Sequence, residues 1–298
     1  MYVASLPEAR DRSSMAAEIA AQKLSNRNAL PHFDAFAGHR EHSTNVASTR
    51  IERKRQQRLC VLGAGNCHDL DLARLSQVYA EIHLVDIDDE ALEGAWKRQA
   101  ADVRDRVFRH APVDLSGLGG KLDRWAEMRV LPEEILRHPA ATCEELVARL
   151  PGPFDVVLSS CVLTQLQWAV LKVLSPAHRL FAAVREISNL THLRTLAALC
   201  TPGGRAVIVT DFASSDTYPL AQMAASGDVH DLFRELVDTH QGIHVAHPHH
   251  LAWVARNDPV LQRSVRMSAP LDAWLWQNGP ERLFLVYAVE LRRLEIDG

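Results

Sequence analysis

The feature that most constrains this chain is Arg58-Leu59-Cys60-Val61-Leu62-Gly63-Ala64-Gly65, followed by Ile82-His83-Leu84-Val85-Asp86. A short apolar strand runs into a glycine turn, and a second apolar strand ends in an acid about twenty residues later, the spacing of a nucleotide-binding βαβ unit. Glycine belongs at such a turn because the backbone must bend sharply and let a ligand approach with no Cβ in the way. The carboxylate of Asp86, at the tip of the second strand, is placed to accept hydrogen bonds from two ribose hydroxyls. The chain is therefore read as an α/β protein that binds a nucleoside-bearing cofactor.

Strongly apolar segments recur at 59–62, 82–85, 107–110, 154–159 and 206–210, with helical stretches between them at 70–79, 90–99, 143–150 and 175–200. Buried strands alternating with helices predict a mostly parallel sheet covered on both faces. Pro202-Gly203-Gly204 is expected to stop the long helix and turn the chain into the fifth strand. Near the end, Trp274-Leu275-Trp276, a turn at Gln277-Asn278-Gly279-Pro280, and an apolar run over 283–291 read as an antiparallel hairpin. Residues 1–57 read as a helical extension or lid, with one amphipathic helix over 13–30 and a basic segment over 50–58. Residues 58–298 read as one domain with a cap insertion at about 215–268.

The 33 basic and 37 acidic side chains are interspersed and leave a formal charge of −4, so there is no electrostatic reason to bind a polyanion. Nucleic acid is not an expected partner. No apolar run approaches the length of a membrane span, and the segment carrying Arg10, Asp11 and Arg12 lacks the apolar core of a secretory signal. Cys60, Cys67, Cys143, Cys161 and Cys200 are odd in number and sit in apolar contexts, as reduced thiols do. A cytoplasmic protein with no membrane partner is the expectation.

A dinucleotide fingerprint needs a third glycine at its sixth position, where the pyrophosphate rests on a helix N-terminus; here that position is His68. Five parallel strands closed by an antiparallel hairpin are also not the plan of an ordinary dinucleotide-binding domain. Together the glycine turn, Asp86, the Pro112-Val113-Asp114-Leu115 segment, the strand ending Ser159-Ser160-Cys161, the Thr201-Pro202-Gly203-Gly204 entry and the terminal hairpin resemble the class I S-adenosylmethionine-dependent methyltransferases. The resemblance runs over about 59–292. It implies a Rossmann-like fold: a mostly parallel seven-stranded sheet with helices on both faces and a C-terminal antiparallel hairpin. It implies S-adenosylmethionine as cofactor, with Gly63 and Gly65 beneath it, Asp86 and Ile87 at the ribose, and Val113 and Asp114 at the adenine. Ser159, Ser160 and Cys161 would face the methyl group, and Gln165 would orient a ligand from the first turn of the next helix. The chain departs from the family's glycine motif at Val61 and Cys67, and Asp69 or Asp71 is expected to take over the contacts to the methionine amino group.

Methyl transfer from a sulfonium is an in-line displacement that chiefly requires positioning, and a base is needed only where the acceptor must lose a proton. His32, His39 and His42, ahead of the first strand, Asp211, just after the fifth, and the cluster of His244, His247, His249 and His250 are the candidates, with His32, His39 and Asp211 preferred. The Ser-Ser-Cys-Val-Leu tip implies a small-molecule N, O or S acceptor. The histidines at 244, 247, 249 and 250 lack a cysteine or carboxylate at ligand spacing, so they read as a polar helix N-terminus and no metal is expected. Two other readings share the opening unit: an NAD(P)-dependent oxidoreductase, and a cofactor-binding protein without transferase activity.

Overall fold

The computed structural model describes residues 13–49, 57–127, 130–225, 227–279 and 282–295. The basic run at 50–56 and Pro280 of the expected hairpin turn lie outside them. The strands are β1 (Arg58–Leu62), β2 (Glu81–Val85), β3 (Val107–His110), β4 (Phe154–Ser160), β5 (Cys200–Ser214), β6 (Val265–Met267), β7 (Asp272–Gln277) and β8 (Leu283–Arg293). They form one sheet in the order β3-β2-β1-β4-β5-β8-β6, with β7 also on β8. Strands β1 to β5 pair in parallel and β8 runs antiparallel to β5. The fold is the Rossmann-like α/β arrangement with an antiparallel end.

Seven strands were expected, and the eighth comes from a break in the last row. Strand β6 pairs with residues 291–293 of β8 and β7 pairs with residues 283–288 of the same strand. Between them lies Pro270, which has no N–H to give to a ladder. Strand β5 is longer than its apolar stretch because Cys200 already pairs with Phe154; the register then shifts, and the Pro202-Gly203-Gly204 segment is taken up as an irregularity within the strand.

The strands sort their side chains with period two. Cys60 and Leu62 of β1, Val157 of β4, and Ala206 and Ile208 of β5 enter one core; Leu59, Val61, Val156, Leu158, Val207 and Val209 enter the other. Both faces are buried, which is why these strands appear in the sequence as continuous apolar runs.

The helices are α1 (Met15–Ala29), α2 (Ala37–Ser48), α3 (Leu72–Ser76), α4 (Asp89–Lys97), α5 (Ala101–Arg104), α6 (Leu122–Glu127), α7 (Pro132–Arg149), α8 (Val162–Leu174), α9 (Phe181–Leu199), α10 (Leu220–Ala225), α11 (Val229–Asp238), α12 (Pro248–Asn257) and α13 (Leu261–Ser264). The stretch expected at 143–150 is the end of α7, which begins with proline at its first turn followed by Glu133 and Glu134, the residues a helix N-terminus favours.

Of the N-terminal helices, α1 packs on the helical layer and α2 on the sheet. Met15 of α1 shares an apolar cluster with Trp125, Val170 and Val184, and its N–H donates to Asp123 Oδ1 at 3.0 Å. The C-terminal end of α2 is held by Arg205 of β5, which donates to the carbonyls of Val46 (3.1 Å) and Ala47 (2.8 Å) while facing Glu290 of β8 at 3.3 Å.

Candidate active site at the carboxyl ends of the strands

The glycine turn and the acid that ends β2 form one hydrogen-bonded unit. The N–H groups of Gly63 and Ala64 donate to Val85 O at 2.9 and 3.2 Å. One oxygen of Asp86 accepts from Gly65 N (2.8 Å) and the other from Asp88 N (2.9 Å). Gly63 has φ +75° and Gly65 φ +45°, the left-handed region that favours glycine. A Cβ on Gly63 would lie 2.7 Å from Val162 Cβ, so the turn is pressed against the start of α8. Asp86 is buried, and burial pushes its carboxyl above the usual range against the pull of the two backbone N–H bonds.

Helix α1 lies over this turn. Asn26 Nδ2 donates to Asp88 Oδ2 at 2.9 Å, Asn66 Nδ2 donates to Asn26 O at 2.5 Å, and Arg27 pairs with Glu90 at 2.8 Å. A Cβ on Gly65 would come within 3.4 Å of Asn26 Oδ1. The glycine surface that a nucleoside would approach is thus covered by a polar residue of the extension.

At the tip of β4 the chain turns through Cys161, whose φ of +49° sets the start of α8. Ser160 donates its hydroxyl to Asp69, and Thr164 donates to Asp211 at the end of β5. Burial raises the Asp69 carboxyl to about 6 and also raises Asp211. Burial, then the charges of Asp211 and Asp69, push the Cys161 thiol far up, so it stays protonated and is no nucleophile. Ser159 turns into the α9 layer and pairs with His192 Nε2 at 2.7 Å.

The candidate bases part company here: His42 pairs with Asp272 at 2.8 Å and stacks on Trp274. His32 is exposed on the 3-10 turn Leu30–Phe36 that links α1 to α2. His39 is buried beside Cys161, with Nε2 3.9 Å from Sγ, and its Nδ1 accepts the indole N–H of Trp274 at 3.0 Å. That bond places the ring proton on Nε2 and uses the free lone pair. Burial and then His42 lower His39 to about 3, so the ring is neutral, and this geometry gives it no lone pair with which to accept a proton. The sequence-based assignment of His39 as a base is corrected to a wall residue. Asp211 lies within β5 and not after it, paired with Val286 beyond the segment that β5 shares with β4, where it accepts the Thr164 hydroxyl.

Val113 is buried and its N–H donates to Asp86 O at 2.9 Å, while Ile87 is half-buried beside it. Asp114 closes its own loop, accepting from Ser116 N (2.9 Å), Ser116 Oγ (2.6 Å) and Gly119 N (2.7 Å). Gln165 is exposed on the first turn of α8; the buried amide of that helix is Gln167, bonded to Asn189 Oδ1 at 2.8 Å.

Sequence reasoning missed an aromatic wall beside the β4 tip. His39 stacks on Trp276 (centroids 4.3 Å apart, planes at 17°), and Phe36 meets both Trp276 (5.3 Å) and His68 (5.5 Å) edge-on. His68 Nδ1 and Trp276 Nε1 are buried there without a hydrogen-bond partner among the described residues. The density of aromatic and ionisable residues over 32–42 was the available signal; the partners at 274 and 276 were out of reach of any local pattern.

No protein-family model and no curated protein matches the chain. Among solved structures it is similar to an S-adenosylmethionine-dependent methyltransferase from Anabaena variabilis, at 11% identity over 97% of this chain and 99% of that one, with a TM-score of 0.48. It is similar to another from Methanosarcina mazei, at 12% identity over 82% and 95% of the two chains (TM-score 0.43). An rRNA methylase from Streptococcus thermophilus aligns at 12% identity over 85% and 95% (TM-score 0.37). The Rossmann-like arrangement itself rests on the strand order and register above.

Proposed function

We propose that this chain is an S-adenosylmethionine-dependent methyltransferase whose acceptor is an N, O or S atom of a small molecule. The observation that carries the reading is the unit made by Gly63, Gly65 and Asp86 at the carboxyl ends of β1 and β2, with Asp69, Ser160 and Cys161 grouped at the neighbouring tip of β4. The residues fit the cofactor: a turn whose two glycines, Gly63 and Gly65, present no Cβ, a fixed carboxylate for two ribose hydroxyls, and a second carboxylate, Asp69, for an ammonium group. When bound, the cofactor supplies a methyl group on an already activated sulfonium. The chain holds the sugar at Asp86, the amino group at Asp69 and the adenine beside Val113 and Asp114. Helix α1, lying over Gly65, acts as the lid that excludes water once the crevice is filled.

The aromatic wall suits a small, flat acceptor, with His68 Nδ1 and Trp276 Nε1 free to bond it. Asp211, its carboxyl raised by burial, takes the acceptor's proton where one must leave. A dinucleotide is disfavoured by Asp71, which caps α3 by accepting from Arg74 N at 2.9 Å and so sets a carboxylate where a pyrophosphate would lie.

Calorimetry with S-adenosylmethionine and S-adenosylhomocysteine tests the cofactor. Wild type is expected to bind both and Asp86→Ala neither; no binding by wild type at millimolar concentration overturns the assignment. For the acceptor, release of S-adenosylhomocysteine from a fractionated metabolite extract is expected with wild type and strongly reduced in Asp211→Asn. Turnover on RNA but on no metabolite fraction would overturn the small-molecule reading.

A further inference from the structure

Between β5 and β7 the chain gathers ionisable side chains that methyl transfer does not use. Gly242 has φ +86° and sits so close to the Phe212 ring that a Cβ would lie 2.5 Å from it. Ile243 N donates to Phe212 O at 2.8 Å, which clamps the 3-10 turn His244–Ala246 onto the end of β5. Helix α12 then carries His250 back over His244, their ring centroids 4.6 Å apart. Opposite both stands Glu186 of α9, its Oε2 3.1 Å from His250 Nε2.

We propose that Glu186, His244 and His250 form a binding site for a divalent first-row transition metal, with Zn²⁺ the best match. Two imidazoles and one carboxylate are the donors such an ion takes, and the ligand atoms of the three residues all lie within 4.8 Å of one another. Ligands on a tetrahedral ion with bonds of about 2.1 Å stand roughly 3.4 Å apart. The His250–Glu186 pair is already near that separation, and the exposed His244 side chain has room to turn inward. His250 Nε2 is buried, and its contact is the ion pair with Glu186 Oε2 at 3.1 Å. A metal ion would satisfy both atoms at once.

The elements that bear the ligands are tied together beforehand. Asn189, one turn beyond Glu186, donates to Val245 O at 2.9 Å and is itself held by Gln167. The charged neighbours are Arg185 on α9, with its guanidinium 5.1 Å from the Phe181 ring centroid, and on the outer side Trp253 stacks on His250. A second triad, His240, His247 and His249, is an internal control. There the buried His247 is committed at both nitrogens, Nδ1 accepting from His249 N (3.2 Å) to cap α12 and Nε2 meeting Val237 O at 3.3 Å. An ion in that triad would have to uncap a helix.

With three protein ligands, a coordination position stays open to water, and the ion would fasten the 243–250 segment to α9. The site is independent of the methyl-transfer reading. The test uses the full chain after chelator treatment, titrated with Zn²⁺ by calorimetry and with Co²⁺ by visible absorption. One equivalent is expected to bind at micromolar or lower concentration, with a cobalt spectrum of nitrogen and oxygen ligation. Glu186→Gln and His244→Ala, the latter at an exposed position that spares the fold, are each expected to weaken binding at least about tenfold, while His249→Ala leaves it unchanged. Three results would overturn the site: no saturable binding below millimolar, binding indifferent to both Glu186→Gln and His244→Ala, or loss of binding in His249→Ala.

Discussion

Asp69 is the group whose titration best reports on the crevice, because burial raises its carboxyl from 3.8 to about 6. The Ser160 hydroxyl and the more distant Arg40 pull it down, and Asp86 pushes it up, but burial dominates. A rise of roughly two units corresponds to about 3 kcal/mol of penalty for ionising Asp69 in the folded chain. The folded state therefore holds this proton more tightly than the unfolded state. The group's contribution is fully present below about pH 4, is lost as pH rises through 6, and is flat above. Asp69→Asn cannot ionise and still offers an oxygen to Ser160. It should match wild type near pH 4 and exceed it above pH 6 by up to about 3 kcal/mol, or about 5 °C in Tm for a chain of this length. Thermal melts from pH 4 to 8 measure this. Saturating S-adenosylhomocysteine should reverse the order at pH 7.5, since its ammonium would pair with an ionised Asp69 and gain nothing from the amide. A stability difference that does not vary with pH, or an Asp69→Asn protein less stable than wild type at pH 8, would refute the reasoning.

Gly63→Ala should destabilise the chain by about 2–4 kcal/mol in urea unfolding, since the new methyl would sit 2.7 Å from Val162 Cβ on a backbone at φ +75°. Arg205→Ala should cost about 3–5 kcal/mol, because it leaves the buried Glu290 facing only the more distant Arg292 (3.7 Å) and takes the Arg205 donors from the Val46 and Ala47 carbonyls, of which Ala47 keeps the Tyr79 hydroxyl; Arg205→Met with Glu290→Gln should recover part of that loss by denaturant titration. Asn26→Ala removes the bond to Asp88 that holds α1 over the glycine turn, so stopped-flow association of S-adenosylhomocysteine should quicken while global stability changes by less than about 1 kcal/mol.

What the sequence made legible was whatever one strand or one turn settles alone. Strands β1, β2 and β4 are buried on both faces and so stand out as apolar runs, and Gly63 with Asp86 marks the turn they frame. Asp114 was readable further than it was read. Asp114-Leu115-Ser116 with Gly119 is an Asx-type loop, and its carboxylate is largely used by its own neighbours. The rest depended on partners far along the chain. The break between β6 and β7 becomes meaningful only when both are known to lie on β8, where Pro270 cannot donate. His39 has the residue type of a base, and a tryptophan 235 positions away decides otherwise by occupying its lone pair. The histidines at 244 and 250 lacked a carboxylate only as long as α9 was not folded against them, since Glu186 lies in a helix that precedes β5. Helix α1 was expected to be amphipathic, but Met15 is its one buried residue and Leu24 is exposed, and its hold on the glycine turn runs through the polar Asn26. A polar contact of that kind has no periodicity for a sequence to display, and it is weak enough to open. That is the property a lid over a cofactor crevice needs, since strong apolar docking of α1 over Gly65 would shut out the ligand as firmly as it shut out water.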